Sequence, residues 1–276
     1  MLQSGRCLSS NGIVFVRDRE WVKQRGYNDK QGLLDLFHNR CAYIMVENFL
    51  TPLECSDLIE ALRHFGLKQY PYNFAHHDAP PASQLFEQHY LYEPKRPAEY
   101  FPKAAQSITQ YHELVKMAKL DPAAKVFDYF KELNLPVQIA AQDGQPYSYI
   151  MARELNHTAL LHADFAPFIP PYWSITKVIA QYAWNIYLSD PGQGGECVVY
   201  NRFWQQADYH YIVRNTYGYD HQVVAGCEQI KIHPEPGMLL IFNSRNFHEV
   251  LKSEKPRLSM GGHMGLLPDN QIIAWV

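Results

Sequence analysis

The chain has 276 residues, 47% hydrophobic and 19% charged, a composition that supports a sizeable core and excludes wholesale disorder. Its net charge of −3 offers no broad positive field to a phosphate backbone, which excludes nucleic acid as the expected partner. Five scattered cysteines without a CxxC pair argue against a disulfide framework and against a thiolate metal site, so a reducing, cytoplasmic setting is expected.

In chain order, the first residues lack a basic region followed by an apolar run, so no signal peptide is expected. No apolar stretch approaches the roughly 20 residues of a membrane span. A first strand is expected at 41–49. Thr51-Pro52-Leu53-Glu54 then reads as a capping box with Pro at the first helical position. The helix it opens carries Leu58, Ile59, Leu62 and Phe65 on one face and stops at Gly66. Residues 70–102, rich in Pro, Tyr and Phe, read as a long loop. Helices are expected at 104–119 and 121–133, the second opening on Asp121-Pro122.

From Pro136 the texture changes to short apolar or alternating runs separated by turn signals such as Asp143-Gly144 and Pro234-Glu-Pro-Gly237. Strands are expected at 137–141, 147–154, 158–164, 176–188, 196–200, 228–233, 238–242, 246–251, 257–265 and 271–275. Helices first and many short strands after predict an α+β fold, with N-terminal helices packed on a jelly-roll or barrel core. The expected organisation is a single unit over 1–276, with a mainly helical part at 1–135 and the β core at 136–276; no linker divides it.

Chemistry enters at His162-Ala-Asp164. On a strand, residues two apart point to one face. His248 follows a turn glycine and the apolar run Gly237–Asn243, on another expected strand. Two imidazoles and a carboxylate on one side of a coordination sphere leave its other positions open, the arrangement of the iron(II) facial triad. A zinc site or a hydrogen-bonded cluster uses the same residues. The pair alone is weak evidence, because His76-His77-Asp78 contains a second copy, in the loop and without a strand pattern. Arg257 and Ser259 share a strand face nine and eleven positions beyond His248. An inward arginine is costly unless paired, and a dicarboxylic cosubstrate would supply the partner.

The motifs His162-Ala-Asp164, Gly194-Gly195-Glu196, Gly237-Met-Leu-Leu-Ile-Phe, His248-Glu-Val and Arg257-Leu-Ser259 together resemble the 2-oxoglutarate oxygenase superfamily, in its prolyl-hydroxylase-like branch. The resemblance implies a double-stranded β-helix, Fe(2+) held by His162, Asp164 and His248, and 2-oxoglutarate and O2 as cosubstrates, the former on Arg257 and Ser259. In Ala183-Trp-Asn-Ile-Tyr187-Leu-Ser, Tyr187 takes the place of a cosubstrate tyrosine, with Ser189 where that pattern often has Asn; Asn185 shares the face of Tyr187. Trp184-Asn185-Ile-Tyr187 and Asn243-Ser-Arg-Asn-Phe-His248-Glu are similar to free-standing oxygenases and halogenases of natural-product pathways, including those acting on hapalindole-type alkaloids. Those halogenases have Gly in place of the triad carboxylate, so Asp164 implies hydroxylation.

The expected function is therefore hydroxylation of an unactivated C–H bond in a small molecule, an amino-acid derivative or natural-product intermediate, with 2-oxoglutarate converted to succinate and CO2. A protein or peptide hydroxylase and a non-catalytic jelly-roll binding module are the alternatives. The aromatic connection 200–222 reads either as a lid or as an edge cover, and Phe74 and Phe86 as an opposite wall. His263, on the face of Arg257, reads as a core histidine.

Overall fold

The computed structural model describes residues 30–69, 83–92, 95–155 and 157–276. Its elements begin with α1 (Lys30–Phe37), β1 (Tyr43–Val46) and α2 (Pro52–Phe65). The capping box that opens α2 forms as read: Thr51 Oγ1 accepts from the Glu54 amide at 3.2 Å, and the Glu54 carboxylate accepts from the Thr51 amide at 2.7 Å. Pro52 loses nothing there, because its missing N–H would have no partner in a first turn. Cys55, Leu58, Ala61 and Leu62 form the buried stripe of α2.

Next come β2 (Lys68–Gln69) and β3 (Ser83–Leu85), then α3 (Phe101–Ala118) and α4 (Pro122–Glu132). The stretch 70–102 is less loop-like than expected. Within its described residues lie β3 and two 3-10 turns, His89–Leu91 and Pro97–Glu99, and α3 starts at Phe101 because Pro102 is tolerated in a first helical turn. Strands follow as β4 (Val137–Ile139), β5 (Ala141–Gln142), β6 (Gln145–Pro146), β7 (Met151–Leu155), β8 (Ala159–His162), β9 (Ala180–Tyr187), β10 (Cys197–Phe203), β11 (Gln229–Ile232), β12 (Leu239–Asn243), β13 (Asn246–Val250), β14 (Arg257–Leu266) and β15 (Ile272–Trp275). Asp143-Gly144, both at positive φ, is the two-residue turn between β5 and β6. The strand expected at 176–188 is shortened to β9, because Ser174–Lys177 closes into a 3-10 turn.

Two sheets form the jelly-roll. The larger runs β1-β12-β9-β14-β7-β3-β2, with β15 also on β14 and β4 on β15; the smaller runs β11-β10-β13-β8. Strand parity divides the larger sheet into two faces. Tyr182, Trp184 and Ile186 of β9 and Leu258, Met260 and Met264 of β14 pack with Leu33, Leu36, Leu58, Leu62, Leu114, Val126 and Phe130 of the helices. Their alternates, Ala183 and Tyr187 with Leu240 and Phe242 of β12, meet Cys197, Val199 and Ile232 of the smaller sheet. Both faces are thus buried, which is why these strands read as continuous apolar runs. Among the described residues, no helix is long and apolar enough to cross a membrane.

Candidate metal centre

In the smaller sheet, the antiparallel register sets His248 of β13 directly opposite His162 of β8. Their rings lie 4.2 Å apart, centroid to centroid. His162 Nδ1 is 2.6 Å from the Leu160 carbonyl and His248 Nδ1 is 2.8 Å from the Asn246 carbonyl. A carbonyl can only accept, so each Nδ1 is assigned the proton and each Nε2 presents a bare lone pair.

Asp164 reaches these nitrogens by a different route from the one strand parity suggested. β8 ends at His162, and Asp164 belongs to the segment beyond it. The turn between β12 and β13 holds that segment: the Asp164 amide donates to the Ser244 carbonyl at 2.8 Å, and Ser244 Oγ donates to the Asp164 carbonyl at 3.0 Å. Asp164 Oδ2 then lies 3.7 Å from both Nε2 atoms. Arg245 braces the same turn, its guanidinium 4.9 Å from the ring centre of Phe165 and 4.8 Å from that of Phe203.

The ligand atoms of His162, Asp164 and His248 all lie within 4.8 Å of one another, the spacing one cation needs to touch all three. Electrostatics favour the ligand forms. Burial works to raise the Asp164 carboxyl, but the charges of His162, His263, His248 and Arg153 outweigh it and bring it down to about 2. Burial, helped by His162, lowers His248 to about 3. At neutral pH the site is one carboxylate anion and, at His248, a neutral imidazole.

Across the interior, the inner face of the larger sheet carries the other expected residues. Phe242 of β12 joins the two sides, its ring 4.9 Å from that of His248. Ser259 of β14 pairs with Tyr187 of β9, and Gly261 with Asn185, so Arg257, Ser259, Tyr187 and Asn185 share this face. A Cβ on Gly261 would lie 2.4 Å from the Trp184 carbonyl oxygen and 2.8 Å from Asn185 Oδ1, so only glycine fits there. Arg257 is buried, with its guanidinium 5.1 Å from the Tyr187 ring centre. Its Nη1 donates to the Gly195 carbonyl at 2.9 Å, while the buried Nε has no hydrogen-bond partner among the described residues. Such a donor fits a carboxylate ligand. Gly194, at φ +81°, lets this loop close against the segment between β13 and β14: a Cβ there would lie 2.0 Å from the Lys252 carbonyl oxygen. Burial raises the Tyr187 hydroxyl against the lowering charge of Arg257, which keeps it a neutral donor.

His263 is a buried histidine with Nδ1 3.3 Å from Gln181 Nε2, and it stands outside the metal-ligating group. Sequence reasoning missed Arg153 and His89. Arg153 of β7 pairs with Ser259, which puts it on the inner face; the available signal was a charged residue inside the apolar run Tyr149–Leu155. His89 lies beyond β3, a strand too short for a period of two to register.

His89 sets a pH dependence. It is buried, its Nδ1 has no hydrogen-bond partner among the described residues, and burial lowers it to about 4. Burial also lowers His248 and His263. Between the ordinary histidine value near 6.5 and about 4, the unfolded chain binds protons that the folded chain refuses, so stability falls as pH falls. His89 alone accounts for about 3 kcal/mol by pH 4. Urea denaturation of chelator-treated protein should therefore show clearly lower stability at pH 5 than at pH 7.5, with a flatter dependence in His89→Leu. A level profile in the unsubstituted protein would contradict a buried neutral His89.

The connection 200–222 is packed against the smaller sheet. The Tyr219 amide donates to the Leu161 carbonyl at 2.8 Å, and Tyr217 Oη accepts from the Leu160 amide at 2.8 Å. These contacts cover the β8 edge and bring the Tyr217 ring to 5.5 Å from that of His162. Phe86 packs edge-on against Tyr111 in the helical core, so it forms no wall. His76, His77, Asp78 and Phe74 lie outside the described residues.

Residues 27–275 match the family model described as carrier-protein-independent halogenase WelO5. The chain is 38% identical over 179 residues to leucinostatins biosynthesis cluster protein S of Purpureocillium lilacinum, covering 61% of this chain and 73% of that protein. It is 28% identical over 137 residues to the L-gamma-glutamyl-L-propargylglycine hydroxylase of Streptantibioticus cattleyicolor, covering 48% of this chain and 50% of the relative. Among solved structures, an N-substituted L-amino acid dioxygenase from Burkholderia ambifaria shares the fold, with a TM-score of 0.62 at 14% identity over 88% of this chain and 90% of that one.

Proposed function

The chain belongs to the WelO5 family and is an Fe(II)/2-oxoglutarate-dependent oxygenase; from that premise we propose that it hydroxylates a C–H bond of a small molecule, an amino-acid derivative or natural-product intermediate. The observation that carries the choice of hydroxylation is Asp164. Its carboxylate stands 3.7 Å from both imidazole Nε2 atoms, so a third ligand atom is supplied by the protein and need not come from a halide. The relative that hydroxylates L-gamma-glutamyl-L-propargylglycine supports an amino-acid derivative as substrate.

In this reading His162, Asp164 and His248 hold iron(II). Two imidazole nitrogens and one carboxylate oxygen would hold it and would leave room for the cosubstrates to bind. Arg257 would hold the distal carboxylate of 2-oxoglutarate, with Ser259 on the same face and the Tyr187 ring 5.1 Å from the guanidinium. Asn185 leans across Gly261 on the same face. When bound, iron with 2-oxoglutarate and dioxygen supplies the oxidising power that breaks the C–H bond, and 2-oxoglutarate leaves as succinate and CO2. The protein supplies orientation and exclusion of water, the latter from Tyr217, whose ring lies 5.5 Å from that of His162.

The test is a screen of amino acids, their N-acyl and γ-glutamyl derivatives, and aromatic alkaloids, with iron(II), 2-oxoglutarate and chloride present. Succinate formation matched by a product heavier by one oxygen is the expected result. A chlorinated product in place of the hydroxylated one would overturn the assignment of Asp164.

A further inference from the structure

The larger sheet also reaches the metal centre, through a side chain outside both the ligand group and the proposed cosubstrate residues. Gln181 is buried on the inner face of β9, by parity with Ala183, Asn185 and Tyr187. Its carbonyl accepts from the Ser244 amide at 3.3 Å, and its Oε1 accepts from the Ala166 amide at 2.7 Å. Ser244 in turn holds the backbone of Asp164, accepting from its amide and donating Oγ to its carbonyl. Asp164 and Ala166 lie beyond the end of β8, outside the strand ladder. Gln181 thus holds their segment twice, at Ala166 directly and at Asp164 through Ser244.

Ala166 begins the 3-10 turn Ala166–Phe168, and Phe165 before it has no side-chain oxygen to cap that turn. The Ala166 amide is one of the donors that a helical start leaves unpaired, and Gln181 supplies its acceptor from 15 positions away. A backbone N–H can only donate, so the side-chain amide must present Oε1 to Ala166 and Nε2 to its other side. There Nε2 lies 3.3 Å from His263 Nδ1. Nε2 can only donate, so Nδ1 accepts and the ring proton is assigned to its own Nε2. Turned over, the amide would set two donors against each other at Ala166 and two lone pairs against each other at His263. His263 thereby fixes which way Gln181 faces.

We propose that Gln181, oriented by His263, is the positioning residue of the Asp164 carboxylate. The proposal rests on the metal-centre reading above. β9 carries Gln181 together with Asn185 and Tyr187, and β14 carries His263 together with Arg257 and Ser259. The two strands that present the proposed cosubstrate residues thus also present the pair behind Asp164. The histidine ligands are placed by the smaller sheet, and the carboxylate ligand is placed by the larger one, in register with the cosubstrate site.

The test titrates cobalt(II), whose visible absorption reports binding, into the full chain freed of other metals. Gln181→Leu, close to glutamine in size, removes both side-chain bonds. It should weaken cobalt(II) binding by about 10- to 100-fold, the usual effect of losing the partner behind a ligand. Gln181→Glu keeps an oxygen for the Ala166 amide and should recover most of that loss, with His263 carrying its proton on Nδ1 instead. The leucine substitution made in Asp164→Gly, where no carboxylate is left to position, should change the affinity by less than about twofold. Weakening of equal size in both backgrounds would mean a general loosening of the fold and would overturn the proposal, as would unchanged cobalt(II) binding in Gln181→Leu. Should that variant not fold, His263→Phe keeps the Ala166 bond but frees the amide to turn. It should show a several-fold loss that likewise disappears in Asp164→Gly. If Asp164→Gly itself binds cobalt(II) as tightly as the unsubstituted protein, the metal-centre reading falls, and this proposal with it.

Discussion

Asp164→Gly should lower hydroxylation by more than about 100-fold, since even partners one step removed from a metal cost 10- to 100-fold when lost. The argument is one of charge and space. Asp164 is the one carboxylate in the ligand group, and it is ionised down to about pH 2. Glycine removes that anion and vacates a coordination position. The two histidines stay suited to a metal: Asp164 acts to raise His248, so its removal pushes that ring further from protonation. Their Nδ1 contacts to the Leu160 and Asn246 carbonyls do not involve Asp164. The turn is also retained, because Ser244 holds the backbone of residue 164 and not its side chain. The variant should thus keep a weakened site for iron, and added chloride should strengthen it by restoring both the charge and the ligand. Iron content and the 2-oxoglutarate charge-transfer band, with and without chloride, are the measurements. A variant that hydroxylates at the unsubstituted rate in chloride-free buffer would show that Asp164 is no ligand.

Much of this site was legible in the sequence because its parts are local or periodic. His248 follows a strand announced by Gly237 and an unbroken apolar run, and Arg257 and Ser259 sit on one strand face by parity. The helical half was legible at Thr51–Glu54 for the same reason, since a capping box is complete within four residues. His162 and Asp164 were paired for a reason that is only half right. They meet at one point, but the strand ends between them, and a turn some 80 positions on positions the carboxylate. No local pattern encodes that bond. Arg153 and His89 were missed on the same ground. Arg153 becomes an interior residue through the register of β7 with β14, and His89 through the hydrogen bond of its amide to the carbonyl of Val276. Tertiary pairing of this kind leaves no periodic trace at either partner.

Arg257→Ala should raise the 2-oxoglutarate requirement by about 100- to 4000-fold while leaving iron binding nearly unchanged. The scale follows from the roughly 3–5 kcal/mol lost when one partner of a buried charge pair is removed. Selectivity for cosubstrate over metal follows from placement, since Arg257 is on the larger sheet and both candidate metal-ligating histidines are on the smaller. Arg257 also has a structural duty, its Nη1 bond to the Gly195 carbonyl, so the alanine variant loses some stability and lowered activity alone would be ambiguous. The decisive reading is therefore an anaerobic titration of 2-oxoglutarate into the iron-loaded protein, followed by the charge-transfer band. Arg257→Lys separates the two roles. A lysine keeps the charge in the pocket but cannot offer parallel donors to a carboxylate and a third to Gly195. It should give an intermediate affinity, with a melting temperature closer to that of the unsubstituted protein than alanine gives. Guanidinium in the buffer should partly rescue the alanine variant, because the Tyr187 ring and the Gly195 carbonyl that receive the arginine are still there. If both variants bind 2-oxoglutarate as tightly as the unsubstituted protein, Arg257 is a structural residue, and the cosubstrate carboxylate must be sought elsewhere on the inner face.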